Sequence, residues 1–176
     1  MDIPNERSSH NAPVPKGGGI GIFAAYLTAS VFLNLGYTFI FAVSIVSLSG
    51  FLGDRYNMSP LLRLIIHFSA AFIIVSTLPG LSGNGVLPVF WGIFIVGTAN
   101  CYNFMDGING IASLTAITTF SLMLWFLYLK GGIDAYALTG GCVGAACLGF
   151  LPFNVPKAKV FMGDTGSMLI GFLYGS

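Results

Sequence analysis

IASLTAITTFSLMLWFLYL, residues 111–129, decides the fold. It is a 19-residue run without a charged side chain, and a helix needs about 20 mostly apolar residues to cross the ~30 Å hydrocarbon core of a bilayer. Five similar runs surround it, at 18–35, 37–52, 61–78, 86–99 and 135–151, and a further one begins at Met168 and reaches Ser176. The 176-residue chain is 55% hydrophobic and 7% charged, with a mean hydropathy of +0.85. Soluble domains carry about 25% charged residues, and disorder needs low hydrophobicity and high charge. The expected fold class is therefore all-α: a polytopic transmembrane helical bundle of about six spans plus the start of a seventh, in one membrane domain over residues 1–176. Residues 1–16 are too polar for a signal peptide. The tight Leu35-Gly36-Tyr37 connection predicts an antiparallel pair of helices. Cys101, Cys142 and Cys147 are odd in number and lack framework spacing, so they read as small residues packed between helices. A net charge of +1 gives no basic field for nucleic acid.

Orientation follows from the basic residues. Alternate loops place Arg7, Lys16, Arg55, Arg63, Lys157 and Lys159 on one side and Lys130 on the other. The positive-inside rule then assigns the loops at 1–16, 53–60, 100–110 and 152–166 to the cytoplasm. Asp2, Glu6, Asp54, Asp106 and Asp164 fall on that same side, and only Asp134 lies opposite. These acids sit at helix ends. A proton or ion pathway would place acids within spans, and no inverted repeat is evident. A site at the membrane surface, open to a soluble substrate, suits the pattern better than a transporter.

The loop NCYNFMDGING, residues 100–110, repeats Asn100, Asn103, Asp106 and Asn109 at intervals of three. A continuing helix would align them in one slowly drifting stripe of amides and a carboxylate. Helix capping accounts for one or two such residues, not for all four. In FMGDTGS, residues 161–167, two glycines permit close backbone approach before an apolar helix, whose free N–H groups attract phosphate oxygens. Asp164 there is a candidate ligand for Mg²⁺, which takes one or two carboxylates with water and phosphate; the plainer reading makes Asp164 or Thr165 an N-cap. Lys159 is placed to meet phosphate, whereas Lys157 suits anionic headgroups. Asp54 and Arg55 close the second span, with Arg55 at the interface. Arg63 and His67 share a helix face, and His67 reads as a polar contact between helices. Arg7, His10 and Lys16, beside a glycine run, are candidates for binding anions, and the plainer reading is an ordinary cytoplasmic leader.

Four stretches in order, DIPNERSSHNAPVPKGGG, GFLGDR, NCYNFMDGING and FMGDTGS, resemble the polyprenyl-phosphate N-acetylhexosamine-1-phosphate transferases. This is glycosyl transferase family 4, in its O-antigen/N-acetylglucosamine branch, and a related enzyme is the phospho-N-acetylmuramoyl-pentapeptide transferase. The resemblance covers essentially the whole chain. It implies an enzyme of the bacterial inner membrane with cytoplasmic active-site loops. It implies attack of undecaprenyl phosphate on the sugar-linked phosphorus of a UDP-N-acetylhexosamine, releasing UMP and leaving a polyprenyl-diphospho-sugar. It implies Mg²⁺, with Mn²⁺ as a substitute, held by Asp164. Asn103, Asp106 and Asp54 are implied as catalytic, and Asn100, Asn109, Arg7, His10 and Lys159 as substrate contacts. Homodimerisation is left open.

Three departures accompany the resemblance. The family has Asp-Asp where this chain has Gly53-Asp54, which supports a second reading as an inactive membrane scaffold of the same family. The family carries a span before the DIPN loop. The last run has about nine apolar residues, roughly 14 Å of helix at 1.5 Å per residue, so the chain is expected to be a fragment of a longer protein.

Overall fold

The computed structural model describes residues 13–56, 58–78 and 85–176. They form helices α1 (Gly18–Phe32), α2 (Tyr37–Tyr56), α3 (Pro60–Thr77), α4 (Val86–Met105), α5 (Ile111–Leu129), α6 (Ala135–Asn154) and α7 (Gly163–Gly175). Helices α2 to α6 are each long and apolar enough to cross a membrane, and α1 is a shorter apolar helix. Side chains such as Phe41, Ile65, Ile93, Leu122, Trp125 and Leu148 lie exposed on the outside, where a bilayer would cover them.

The bundle is built around α7. Helices α1, α2 and α4 pack directly on it, while α6 joins α1 to α5 and α3 joins α2 to α4. From Gly166 to Phe172 every α7 residue is buried. Membrane helices associate through small residues that let backbones approach, and α7 meets its neighbours on glycine. A methyl group on Gly19 of α1 would collide with the Gly166 backbone, and one on Gly50 of α2 would stand 2.5 Å from the Asp164 carbonyl oxygen. On the far side, one on Gly171 would be 2.7 Å from the Ala99 Cα of α4.

Helix boundaries differ from the expected spans where hydropathy is blind to backbone hydrogen bonding. α2 continues four residues past Leu52 to Tyr56, and α4 continues past Ala99 to Met105. Asp54 and Asn103 are therefore helical. α7 starts at Gly163 rather than Met168, its first turn being polar. The N-cap there is Met162, without a side-chain cap bond, so neither Asp164 nor Thr165 is the cap. The short link after α1 does reverse the chain, but α1 packs chiefly on α6 and α7 rather than pairing with α2.

Candidate active site at one end of the bundle

The N-termini of α1, α3, α5 and α7 and the C-termini of α2, α4 and α6 lie at one end. The segment before α1 is tied to the segment before α7. Lys16 and Phe161 form a parallel bridge, the Gly17 and Gly18 N–H groups donate to the Phe161 carbonyl at 3.1 and 3.0 Å, and Gly19 N–H donates to Met162 at 2.9 Å. Ser47 Oγ of α2 donates to the Thr165 carbonyl at 2.9 Å. These bonds fix the start of α7 against α1 and α2.

Acids gather around that start. The Thr165 N–H and hydroxyl each lie 3.4 Å from Asp54 Oδ2 and donate to it. Gly163 has φ +73°, a left-handed conformation that glycine adopts freely, and a Cβ there would fall 2.6 Å from the same Asp54 oxygen. Asp106 caps α4. Burial first, then the charges of Asp164 and Asp54, raise its carboxyl above the ordinary range, while the Gly163 N–H and Lys16 act in the opposite direction. Asp54 and Asp106 thus face the positive end of the α7 dipole. They take up helix-start N–H groups that phosphate oxygens would otherwise meet.

Asp164, in the first turn of α7, accepts a hydrogen bond from Nη2 of Arg63 at the start of α3, and both side chains are mostly buried, with 25% and 21% exposure. Asn103 Oδ1 accepts from Ser167 Oγ at 2.5 Å, and that hydroxyl also reaches the Gly163 carbonyl at 3.0 Å. Asp54, Asn103, Asp106 and Asp164 are therefore brought together by α2, α4 and α7.

Other candidates are placed differently. α4 ends at Met105, so the stripe of four does not continue as a helix, and Asn109 lies in the turns that follow. Asn100 donates to the Val96 carbonyl of its own helix at 2.8 Å. Lys159 and Lys157 are exposed. Arg7 and His10 lie outside the described residues. His67 is buried and shares a 3.1 Å hydrogen bond with Ser49 of α2, a contact between helices.

Two residues escaped the sequence reading. In the sequence Arg63 pairs by spacing only with His67, although it lies at the same end as the acids. Asn154 is the polar end of an apolar helix. Its Oδ1 accepts from Gly110 N–H at 2.6 Å and its Nδ2 donates to the Val160 carbonyl at 3.1 Å. Asn154 so joins the loop after Asp106 to the segment before α7.

Among the described residues no three His, Cys, Asp or Glu side chains stand close enough to cage a metal ion. Mg²⁺ needs no such cage, because it completes its shell with water and phosphate oxygens. Hard carboxylate oxygens at Asp164, with the Asp54 and Asp106 carboxyl groups nearby, fit an ion that arrives with a diphosphate.

The sequence model of glycosyl transferase family 4 matches residues 37–176. The undecaprenyl-phosphate alpha-N-acetylglucosaminyl 1-phosphate transferase of Thermotoga maritima is 32% identical over 177 residues, covering 97% of this chain and 53% of the relative. A decaprenyl-phosphate N-acetylglucosaminephosphotransferase of Mycolicibacterium smegmatis is 31% identical, covering 98% and 51%. A phospho-N-acetylmuramoyl-pentapeptide-transferase of Syntrophus aciditrophicus is 30% identical, covering 99% and 60%. The chain spans about half the length of the first two of these relatives.

Proposed function

Because the chain belongs to glycosyl transferase family 4, we propose that it carries the core of a site that transfers N-acetylhexosamine-1-phosphate from a UDP-sugar to undecaprenyl phosphate. The observation that carries this reading is the convergence of Asp54, Asp106 and Asp164 with the cations Arg63 and Lys16 around the start of α7. In the reaction an oxygen of the lipid phosphate bonds to the sugar-linked phosphorus, and the bond from that phosphorus to the bridging oxygen breaks. That oxygen leaves on UMP. Such chemistry rests on positioning and charge neutralisation rather than on covalent help from the protein.

Each residue's part follows from its place. Asp164 would hold Mg²⁺, or Mn²⁺ in its stead, with Asp54 and Asp106 strengthening the field for a cation. When bound, the metal supplies neutralisation of charge on the diphosphate. Arg63 presents a guanidinium fork suited to phosphate oxygens. Asn103, held by Ser167, offers its amide to the nucleotide or sugar. Burial of these groups at the end of a lipid-facing bundle lets an acceptor come from the bilayer while the donor comes from water. The six-to-one division of basic side chains in the sequence supports a cytoplasmic site in a bacterial plasma membrane.

A second reading, an inactive scaffold of the family, is favoured by the absence of an acid at Gly53 and by the Arg63–Asp164 ion pair. Radiolabelled UDP-N-acetylglucosamine, offered to the chain in liposomes containing undecaprenyl phosphate and Mg²⁺, separates the two. Labelled lipid with equimolar UMP supports the transferase. Absence of both, for UDP-N-acetylglucosamine and UDP-N-acetylgalactosamine alike, favours the scaffold.

A further inference from the structure

We propose that Arg63 competes with the divalent cation for Asp164, and that the bare backbone at Gly53 is what sends it there. This rests on the reading of Asp164 as metal ligand given above. The guanidinium donates to Asp164 Oδ2, with both partners largely withdrawn from water. A carboxylate that serves a guanidinium and one that serves a divalent ion are neutralised in the same place, and two cations on one oxygen repel.

The geometry gives the reason for the pairing. Arg63 lies along Gly53: a Cβ built there would be 3.5 Å from Cζ and Nε and 3.6 Å from Nη1, ordinary contact with no collision. Residue 53 is therefore the position from which a short acid would reach the guanidinium. Glycine offers it nothing. The next acid in sequence, Asp54, turns its Oδ2 to Thr165, so the guanidinium bridges from α3 to Asp164 on α7. A diphosphate arriving with its metal supplies the guanidinium with a better partner, since Arg meets phosphate oxygens through charge-assisted, bidentate bonds. Arg63 then moves from Asp164 to the phosphate, and the carboxylate passes to the metal.

The test is Mn²⁺ binding to the purified 176-residue chain in detergent, read by the electron paramagnetic resonance of free Mn²⁺, without nucleotide. Arg63→Gln removes the competitor, and Gly53→Asp gives it another anion. Each should tighten Mn²⁺ binding about three- to tenfold, the worth of a partly screened ion pair. Arg63→Lys keeps the competing charge and should stay near wild type, which a purely structural arginine would not explain. Asp164→Asn should abolish the site.

Unchanged or weaker Mn²⁺ binding in Arg63→Gln, with Asp164→Asn still abolishing it, overturns the role of Arg63 and leaves the metal reading standing. Wild-type binding in Asp164→Asn overturns the metal reading itself. Tightening in Arg63→Gln but not in Gly53→Asp overturns the part assigned to Gly53. A gain in thermal stability on Mn²⁺ addition, larger in both variants than in wild type, is the second readout. It keeps the comparison decisive if one variant folds less well.

Discussion

At the scale of the residue, charge and shape separate cleanly at Asp164. Asparagine has the shape of aspartate and can still accept a hydrogen bond from Arg63, but it brings no charge to a cation. Asp164→Asn is expected to leave the helical fold in place, seen by circular dichroism and monodisperse elution. On the function proposed above, it should cost transfer on the order of 10²–10³-fold, the size of losing one electrostatic stabiliser of the reacting group. Product formation at saturating Mg²⁺ checks this, and turnover within threefold of wild type would reduce Asp164 to a structural partner of Arg63. In the sequence Asp164 stands between two readings, an N-cap and a metal ligand, and it is the resemblance carried by FMGDTGS that singles it out. Its partner was not legible: a lone arginine at the start of an apolar helix looks like an interfacial anchor, and only the crossing of α3 with α7 brings the two together.

At the scale of the element, two devices hold the start of α7. The first is steric. Gly50 lies against the Asp164 and Thr165 backbone, whereas Gly97, in the middle of α4, has nothing within 4 Å of a built Cβ. Gly50→Ala should therefore destabilise the bundle by about 1–3 kcal/mol, as overpacking does. Gly97→Ala should be neutral or stabilising by up to about 1 kcal/mol, since alanine is the better helix former. Thermal unfolding of the two variants in one detergent gives the comparison, and equal effects would mean that the close approach of α2 to α7 is not needed. The second device is polar. Asn154 satisfies Gly110 N–H and the Val160 carbonyl together, so Asn154→Ala leaves the buried Gly110 N–H unpaired, at about 1–3 kcal/mol. The Gly110 amide should then exchange its hydrogen faster than in wild type, while amides in the middle of α5 stay protected. Hydrophobic run lengths located the seven helices of the described residues, but not their polar ends. α2, α4 and α7 each extend through residues that hydropathy discounts, and those extensions carry Asp54, Asn103 and Asp164. The acids were thus recognisable as lying at helix ends, but not as lying within the last turns of α2 and α4 and the first turn of α7.

At the scale of the whole molecule, the arrangement of charge and of helix ends makes one statement about orientation. Every described element that bears a site acid ends at one pole of the bundle, and Asp134, which caps α6 by accepting from Ala137 N–H at 2.7 Å, stands at the other with Lys130. The basic side chains divide six to one in the same sense, and the positive-inside rule leads to the expectation that the richer pole faces the cytoplasm. The pole can be reported from either side by single cysteines at exposed positions. Ile108 is 61% exposed in the turn after α4, and Gly132, between α5 and α6, has open space around a built Cβ. In a background with Cys101, Cys142 and Cys147 replaced by alanine, a membrane-impermeant maleimide added to intact spheroplasts should label Gly132→Cys and spare Ile108→Cys. Inverted vesicles should reverse the pattern. The contrast depends on the bilayer as barrier, because both positions are exposed in turns between helices. Labelling of Ile108→Cys from outside would place the acids away from the cytoplasm, where nucleotide sugars are made. No transfer from a cytoplasmic UDP-sugar could then run at this pole, whatever the geometry of Asp54, Asp106 and Asp164.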